Sequence, residues 1–174
     1  MQNWVKQALS IGFSYAYPLD PATLIPRQDV RNMCSADRCR GYGKNWTCPP
    51  YCGTLDACAD KLGQFSHGIL LQTVGNLEKV IDTKAYRRTE TLHLEYFHQF
   101  TALIRSQHPA ALCLGSGGCR ICPSCAFPET CRFPEKAYSS MEGYGLFVTQ
   151  GCRDNGALYN YGDRTITFTA CVLY

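Results

Sequence analysis

Hydrophobic and polar positions follow clear periods over much of the chain and lose them in two stretches. Trp4, Val5, Ala8, Leu9 and Ile11 recur at three- and four-residue spacing, which predicts a short amphipathic helix over 1–12, lying as a lid on the core. Pro18, Pro21 and Pro26 exclude a long helix between Phe13 and Pro26 and leave a strand and a turn, with Asp20 placed to cap Pro21 at a first helical position. Thr54-Leu55-Asp56 reads as a cap and an acidic first turn, opening a helix to about Phe65. Gly68–Val74 is a short apolar run that predicts a buried strand. A long helix follows from Leu77 or Lys84 to Ser106, its His93, Tyr96, Phe97, Phe100, Leu103 and Ile104 on one face, and Pro109 stops it. That aromatic stripe reads as core rather than as a cofactor box.

Ala110–Leu114 predicts a second buried strand, Ser140-Met141-Glu142 opens a short helical segment, and Thr165–Leu173 alternates as a third strand after turns at Asn155-Gly156 and Gly162-Asp163. These elements predict an α+β (mixed α/β) fold: a small central β-sheet with flanking helices, in one domain spanning residues 1–174.

The two aperiodic stretches, at about 31–58 and 115–135, are where the cysteines gather. The first carries Cys34, Cys39, Cys48 and Cys52 in the spacing C-x4-C-x8-C-x3-C, among glycines and prolines that predict a long irregular loop. The second carries Cys119, Cys122 and Cys125 at a strict three-residue period, with Cys131 six positions on. A loop of that period can wrap one inorganic cube and give a thiolate to several of its corners. Structural zinc more often draws C-x2-C pairs from two separate knuckles. An iron–sulfur cluster is therefore the expected occupant, with zinc the alternative. Gly115-Ser116-Gly117-Gly118 lacks a full dinucleotide fingerprint and is expected to let backbone N–H groups approach cluster sulfur.

Composition narrows the setting. Twelve cysteines in 174 residues would suit a disulfide framework in a secreted protein. Yet Met1–Gln7 shows no apolar leader core or cleavage site, and no apolar run approaches membrane-spanning length. The expected setting is the cytoplasm of an anaerobe or another well-reduced compartment, with no membrane partner. A formal charge of +3 is too mild to argue for nucleic acid, and clusters held by four thiolates would shift it toward neutral or below. Arg38, Arg40, Lys44, Arg120, Arg132 and Arg153 flank the cysteines, either to compensate anionic clusters or as solvated surface. His67, His93, His98 and His108 have no zinc-finger spacing to the cysteines. Cys113 and Cys171 fall in predicted strands, as small buried apolar residues. Tyr42 and Trp46 are placed to shield a cluster or simply to pack. Glu129, Glu135 and Glu142 are near the second cysteine group in sequence, and nothing marks any of them as an acid or base. No P-loop, zincin helix or Ser/His/Asp set is present.

Two long motifs carry a resemblance. Arg31, Cys34, Cys39 and Tyr42-Gly43-Lys44-Asn45-Trp46-Thr47-Cys48-Pro49-Pro50 form the first. The second is Gly118-Cys119-x2-Cys122-x2-Cys125, then Cys131-Arg132-Phe133-Pro134-Glu135-Lys136-Ala137, Ser140-Met141-Glu142 and Gly145. Together they resemble an uncharacterised family of predicted metal-binding proteins, the domain of unknown function 2284, over nearly the whole chain. The resemblance implies metal binding of iron–sulfur type and supplies no reaction. It carries over to Cys34, Cys39, Cys48, Cys119, Cys122, Cys125 and Cys131; Cys52, Cys58, Cys113, Cys152 and Cys171 lie outside the shared pattern.

The ligand count thus stands at seven or eight. With Cys52, there are two complete four-thiolate sets, which suits two [4Fe–4S] clusters passing electrons to a redox partner protein. Without it, one iron is open to a small-molecule ligand or a non-cysteine side chain, as a Lewis-acid enzyme would need. Cross-ligation by Cys48 or Cys131, and a zinc-organised interaction module, are further alternatives.

Overall fold

A computed structural model describes residues 3–174, so Met1 and Gln2 of the expected first helix lie outside the described residues. The chain forms α1 (Trp4–Ile11), β1 (Tyr15–Leu19), α2 (Gln28–Ser35), α3 (Leu55–Leu62), β2 (Gly68–Asn76), α4 (Thr83–Gln107), β3 (Leu112–Gly115), β4 (Ser139–Ser140), α5 (Val148–Asp154) and β5 (Thr165–Leu173). Single turns of 3-10 helix stand at Pro21–Thr23 and Glu142–Tyr144. Asn3, Asp20, Thr54 and Asp82 each cap a helical start through a side-chain oxygen, satisfying an N–H that the first turn leaves without a backbone acceptor.

The strands form one mixed sheet in the order β1-β2-β5-β3-β4. The α+β reading from the sequence is borne out. At its centre β2 and β5 run antiparallel along nine pairs, from Gly68 opposite Leu173 to Asn76 opposite Thr165. Alternate residues of this pair enter different cores. Ile69, Leu71, Ala170 and Val172 pack under α1 and α4 with Trp4, Phe13, Phe97 and Phe100. Leu70, Cys171 and Leu173 pack on the opposite face with Leu24, Leu62, Met141, Leu146 and Cys152. Burial on both faces explains why β2 reads as an apolar run, and β5, expected to alternate, is likewise buried on both faces from Phe168 to Leu173.

Helix α4 lies along the first face through Ala85, Thr89, His93, Phe97, Phe100 and Ile104, all buried. It comes so close to β2 that a Cβ on Gly75 would stand 1.9 Å from Thr89 Oγ1, so Gly75 is where helix and sheet touch. Within the same face His93 Nδ1 is 2.9 Å from Thr73 Oγ1.

Several elements differ from expectation. Residues 28–35, including Arg31 and Cys34, are helical rather than loop. That helix buries only Val30, so no apolar stripe announces it. The long helix begins at Thr83, beside Lys84, the later of its two expected starts, because Asp82 accepts from Ala85 N at 3.0 Å. The second strand starts at Leu112 rather than Ala110. Helix α5 was not anticipated, and it places Cys152 in the core rather than at a turn.

The sheet also sets the position of the second cysteine stretch. Its chain leaves the end of β3 at Gly115 and returns through β4, which pairs parallel to β3 with Ser140 opposite Gly115. Met141 N then donates to Gly115 O at 3.2 Å. Both ends of a 23-residue excursion, 116–138, are thereby held side by side.

Candidate functional site

The first cysteine stretch folds against the turn that follows β4. Arg27 N donates to Gly145 O at 2.8 Å, and Cys34, in the last turn of α2, points its thiol at Glu142 O from 3.8 Å. Beyond the helix the chain is shaped by Asp37. Its carboxylate accepts from Tyr42 N and from Lys44 Nζ, both at 2.9 Å, and those contacts hold the carboxyl below its usual range. Cys48 is buried, and its sulfur sits where a Cβ on Gly41 would stand 2.9 Å away and one on Gly118 3.4 Å away. Gly41 thus makes room for that sulfur, and Gly118 brings the second loop against it.

The second loop is tied to its surroundings at several points. Arg120 pairs with Glu90 of α4 at 2.9 Å, and Arg120 N donates to Tyr138 Oη at 3.3 Å. Arg105 Nη1 donates to Glu135 O at 2.8 Å. The loops join through Trp46, Tyr51 and Phe127, whose ring centroids lie 4.7–5.6 Å apart, and through Trp46 Nε1, which donates to Glu129 O at 2.8 Å. Trp46 therefore packs as part of an inter-loop staple.

Three cavities open between these stretches. The largest, about 840 Å³, takes Cys39 and Cys48 from the first loop and Cys119, Cys122 and Cys125 from the second, with Arg40, Lys44 and Arg120 also on its wall. A second of about 280 Å³ is lined by Cys34, Cys39 and Cys48, with Tyr42, Ser140 and Glu142. A third, of about 30 Å³, is lined by Cys119, Cys122, Cys125 and Cys131. All seven cysteines of the shared motif therefore face a cavity; Cys39 and Cys48 line both larger ones, and Cys119, Cys122 and Cys125 line the largest and the smallest.

Cys52 does not line any of the three. Its thiol donates to Gly143 O at 3.3 Å. Beside it, Cys58 of α3 reaches Cys52 O at 3.8 Å and accepts from Arg31 Nη2 at 3.4 Å. The remaining cysteines, Cys113 and Cys171 in strands and Cys152 in α5, are buried in the cores.

No group of three or more His, Cys, Asp or Glu side chains among the described residues is drawn tightly enough to hold a metal ion. The thiols are instead spread around cavity walls, unpaired by disulfides. Burial pushes Cys48 up to about 12, and the neighbouring thiols of Cys39, Cys52, Cys34 and Cys119 push it the same way. Burial also raises Cys34 and Cys119. Burial thus favours the protonated thiol at Cys34, Cys48 and Cys119 until a cation offsets the charge of the thiolates, so metal binding and proton release are linked there. The donor set fits a thiophilic metal.

Of the flanking cations, Arg38 lines the second cavity, and Arg132 lines the third while donating to Ser124 O at 3.2 Å. Arg153 lies on α5 and lines none of the three. None of the four histidines lines them either. His93 is desolvated down to about 3 among aromatic rings. Among the three glutamates, only Glu142 faces the cavities, and it borders both larger ones. It is accessible on that open side, yet enough protein surrounds it that burial raises its carboxyl. The spacing of the cysteines gave no sign of it, because β4 brings it there through a pairing with β3.

No helix among the described residues is long and apolar enough to cross a membrane. No curated protein and no solved structure matches the chain. One family model does, over residues 17–174, which takes in both cysteine stretches and the whole sheet. The chain belongs to the predicted metal-binding protein family, domain of unknown function 2284.

Proposed function

We propose that this protein is an iron–sulfur electron carrier holding two [4Fe–4S] clusters and exchanging electrons with a partner protein. The observation that carries the reading is the 840 Å³ chamber with five cysteines from two loops on its wall. A zinc ion draws four sulfurs to about 2.3 Å from one centre, and a wall of that extent suits a larger inorganic core. Cys119, Cys122, Cys125 and Cys131 hold one cluster, and Cys34, Cys39 and Cys48 hold the other. When bound, such clusters supply reversible one-electron transfer.

The chain's own residues prepare both sites. Arg40 faces the chamber and offsets the negative charge of thiolate-bound clusters, which raises their potential, while Lys44 and Arg120 on the same wall are paired with Asp37 and Glu90. Tyr42 walls the first site, and the Trp46–Tyr51–Phe127 staple holds the two loops together. Cys39 and Cys48 border both larger cavities, so the two thiol sets adjoin, which supports electron passage between the centres.

The test is iron, zinc and acid-labile sulfide content of anaerobically purified protein, with EPR spectra before and after reduction. The expected result is about eight irons and eight sulfides per chain, with magnetically coupled signals on reduction. Cys122→Ser should remove about half of the iron, and Cys171→Ser should leave it unchanged. Zinc without sulfide would overturn the reading.

A further inference from the structure

We infer that Glu142, rather than Cys52, is the fourth ligand of the first site, so that its iron–sulfur centre is held by Cys34, Cys39, Cys48 and one carboxylate. This rests on the two-cluster reading and concerns a residue that no cysteine pattern identifies. The 280 Å³ cavity is the place where Cys34, Cys39 and Cys48 meet, and Glu142 is on its wall. Cys52 is not. The Cys52 thiol neighbours Cys34 and Cys48 but lines none of the three cavities, and it is engaged with Gly143 O at 3.3 Å, beside Arg31 and Cys58.

Glu142 is held in place by the fold. Ser140 is fixed opposite Gly115 by strand pairing, and its hydroxyl accepts from Gly143 N at 2.9 Å, so the backbone on both sides of Glu142 is fixed. The carboxylate has no salt-bridge partner among the described residues. A carboxylate turned into a cavity of thiols, with no ion pair of its own, is a natural oxygen donor to a cation there.

The chemical consequence is asymmetry. The second site offers four thiolates, whereas the first would have one corner bound through oxygen, a harder and more exchangeable donor for iron. Glu142 also borders the 840 Å³ chamber. Its displacement would open that iron to a small anionic molecule, a thiolate or carboxylate, entering beside Arg40 and Lys44.

The experiment is Mössbauer spectroscopy and iron counting on iron-57-loaded protein, with EPR of the oxidised form, for the wild type, Glu142→Gln, Glu142→Cys and Cys52→Ala. In the wild type, about one iron in eight should show the isomer shift of an oxygen-ligated site. Glu142→Gln should lose that iron on oxidation, falling to about seven and gaining the signal of a three-iron centre. Glu142→Cys should restore about eight irons, all sulfur-ligated, which also shows that the turn tolerates substitution. Cys52→Ala should match the wild type.

Loss of iron from Cys52→Ala, or an unchanged spectrum in Glu142→Gln, overturns the assignment while leaving two clusters in place. A wild-type protein without iron and sulfide overturns the underlying reading instead.

Discussion

Cys171 and Cys48 are both buried thiols, one in the middle of β5 and the other in the first cysteine loop, and they stand for two regions built on different terms. Cys171 is enclosed by Leu70, Leu114, Met141 and Leu173, and its strand is paired on both sides. Every neighbour gains by excluding water, so the sheet region is complete in itself. Cys48 is flanked by two glycines, borders two cavities, and has other thiols around it. Its surroundings bring like charges together as soon as they ionise. Residues 36–53 and 116–138 contain no helix or strand, so they bury little apolar surface to offset the cost of ordering them. The contrast teaches that cysteine carries no fixed meaning here. The same side chain is a filler where strands pack and a donor where glycines and prolines hold the chain open.

Metal removal should separate the regions most strongly. Stripping the protein with a chelator and oxidant should abolish hydrogen-exchange protection across 36–53 and 116–138 while β2 and β5 keep theirs, read peptide by peptide by mass spectrometry. Loss of protection in the sheet as well would mean that the two regions are one cooperative unit. Phe97→Ala tests the converse. Phe97 is fully buried under the sheet against Tyr138 and His93, so its truncation should cost about 3–5 kcal/mol in denaturant unfolding. The iron content of the folded fraction should not change. A selective loss of metal would break the comparison.

A smaller effect is expected from His93. Its folded-state value of about 3 lies below the ordinary 6.5 because burial disfavours the charged ring. Below pH 6.5 the unfolded chain takes up a proton that the folded chain refuses, so stability is full above 6.5 and falls as pH drops toward 3. The slope should approach roughly 1–1.5 kcal/mol per pH unit. Urea midpoints between pH 7 and 5 should show it in the wild type and lose it in His93→Asn. Equal slopes in both would place the acid sensitivity outside the sheet core.

What the sequence reveals divides along the same line. β2, β5 and α4 are legible from an apolar run, an alternating run and a helical stripe, and Thr54 marks a helix start by the oxygen it supplies, whereas Asp82, which caps α4, was not singled out. Helix α2 was not legible, since Val30 is its one buried residue, and α5 is short, with a glycine in it. β4 has two residues and exists only because β3 lies beside it. Cysteine spacing singled out eight thiols, seven of which face cavities, whereas the different engagement of Cys52 depends on a carbonyl 91 positions away. Glu142 was the hardest to find, because its place is set by strand pairing and a turn rather than by anything local.

The joint between the regions offers the finest test. Arg120 of the second cysteine loop pairs with Glu90 of α4 at 2.9 Å, with the arginine side chain 55% exposed and the glutamate 19%. An ion pair this open to solvent is worth under about 1 kcal/mol, so Glu90→Gln should scarcely move the unfolding midpoint of the metal-loaded protein. Its effect should show where the metal no longer holds the loop. In metal-free protein, Glu90→Gln should speed hydrogen exchange around Cys119–Cys125 by up to about fivefold, the ratio that 1 kcal/mol implies, and leave α4 unchanged. High salt should produce the same acceleration in the wild type by screening the pair. If exchange in the metal-free loop does not respond to either, the Arg120–Glu90 pair adds nothing to its order, and the loop is held by β3, β4 and the bonds from Arg105 to Glu135 O and Ala137 O.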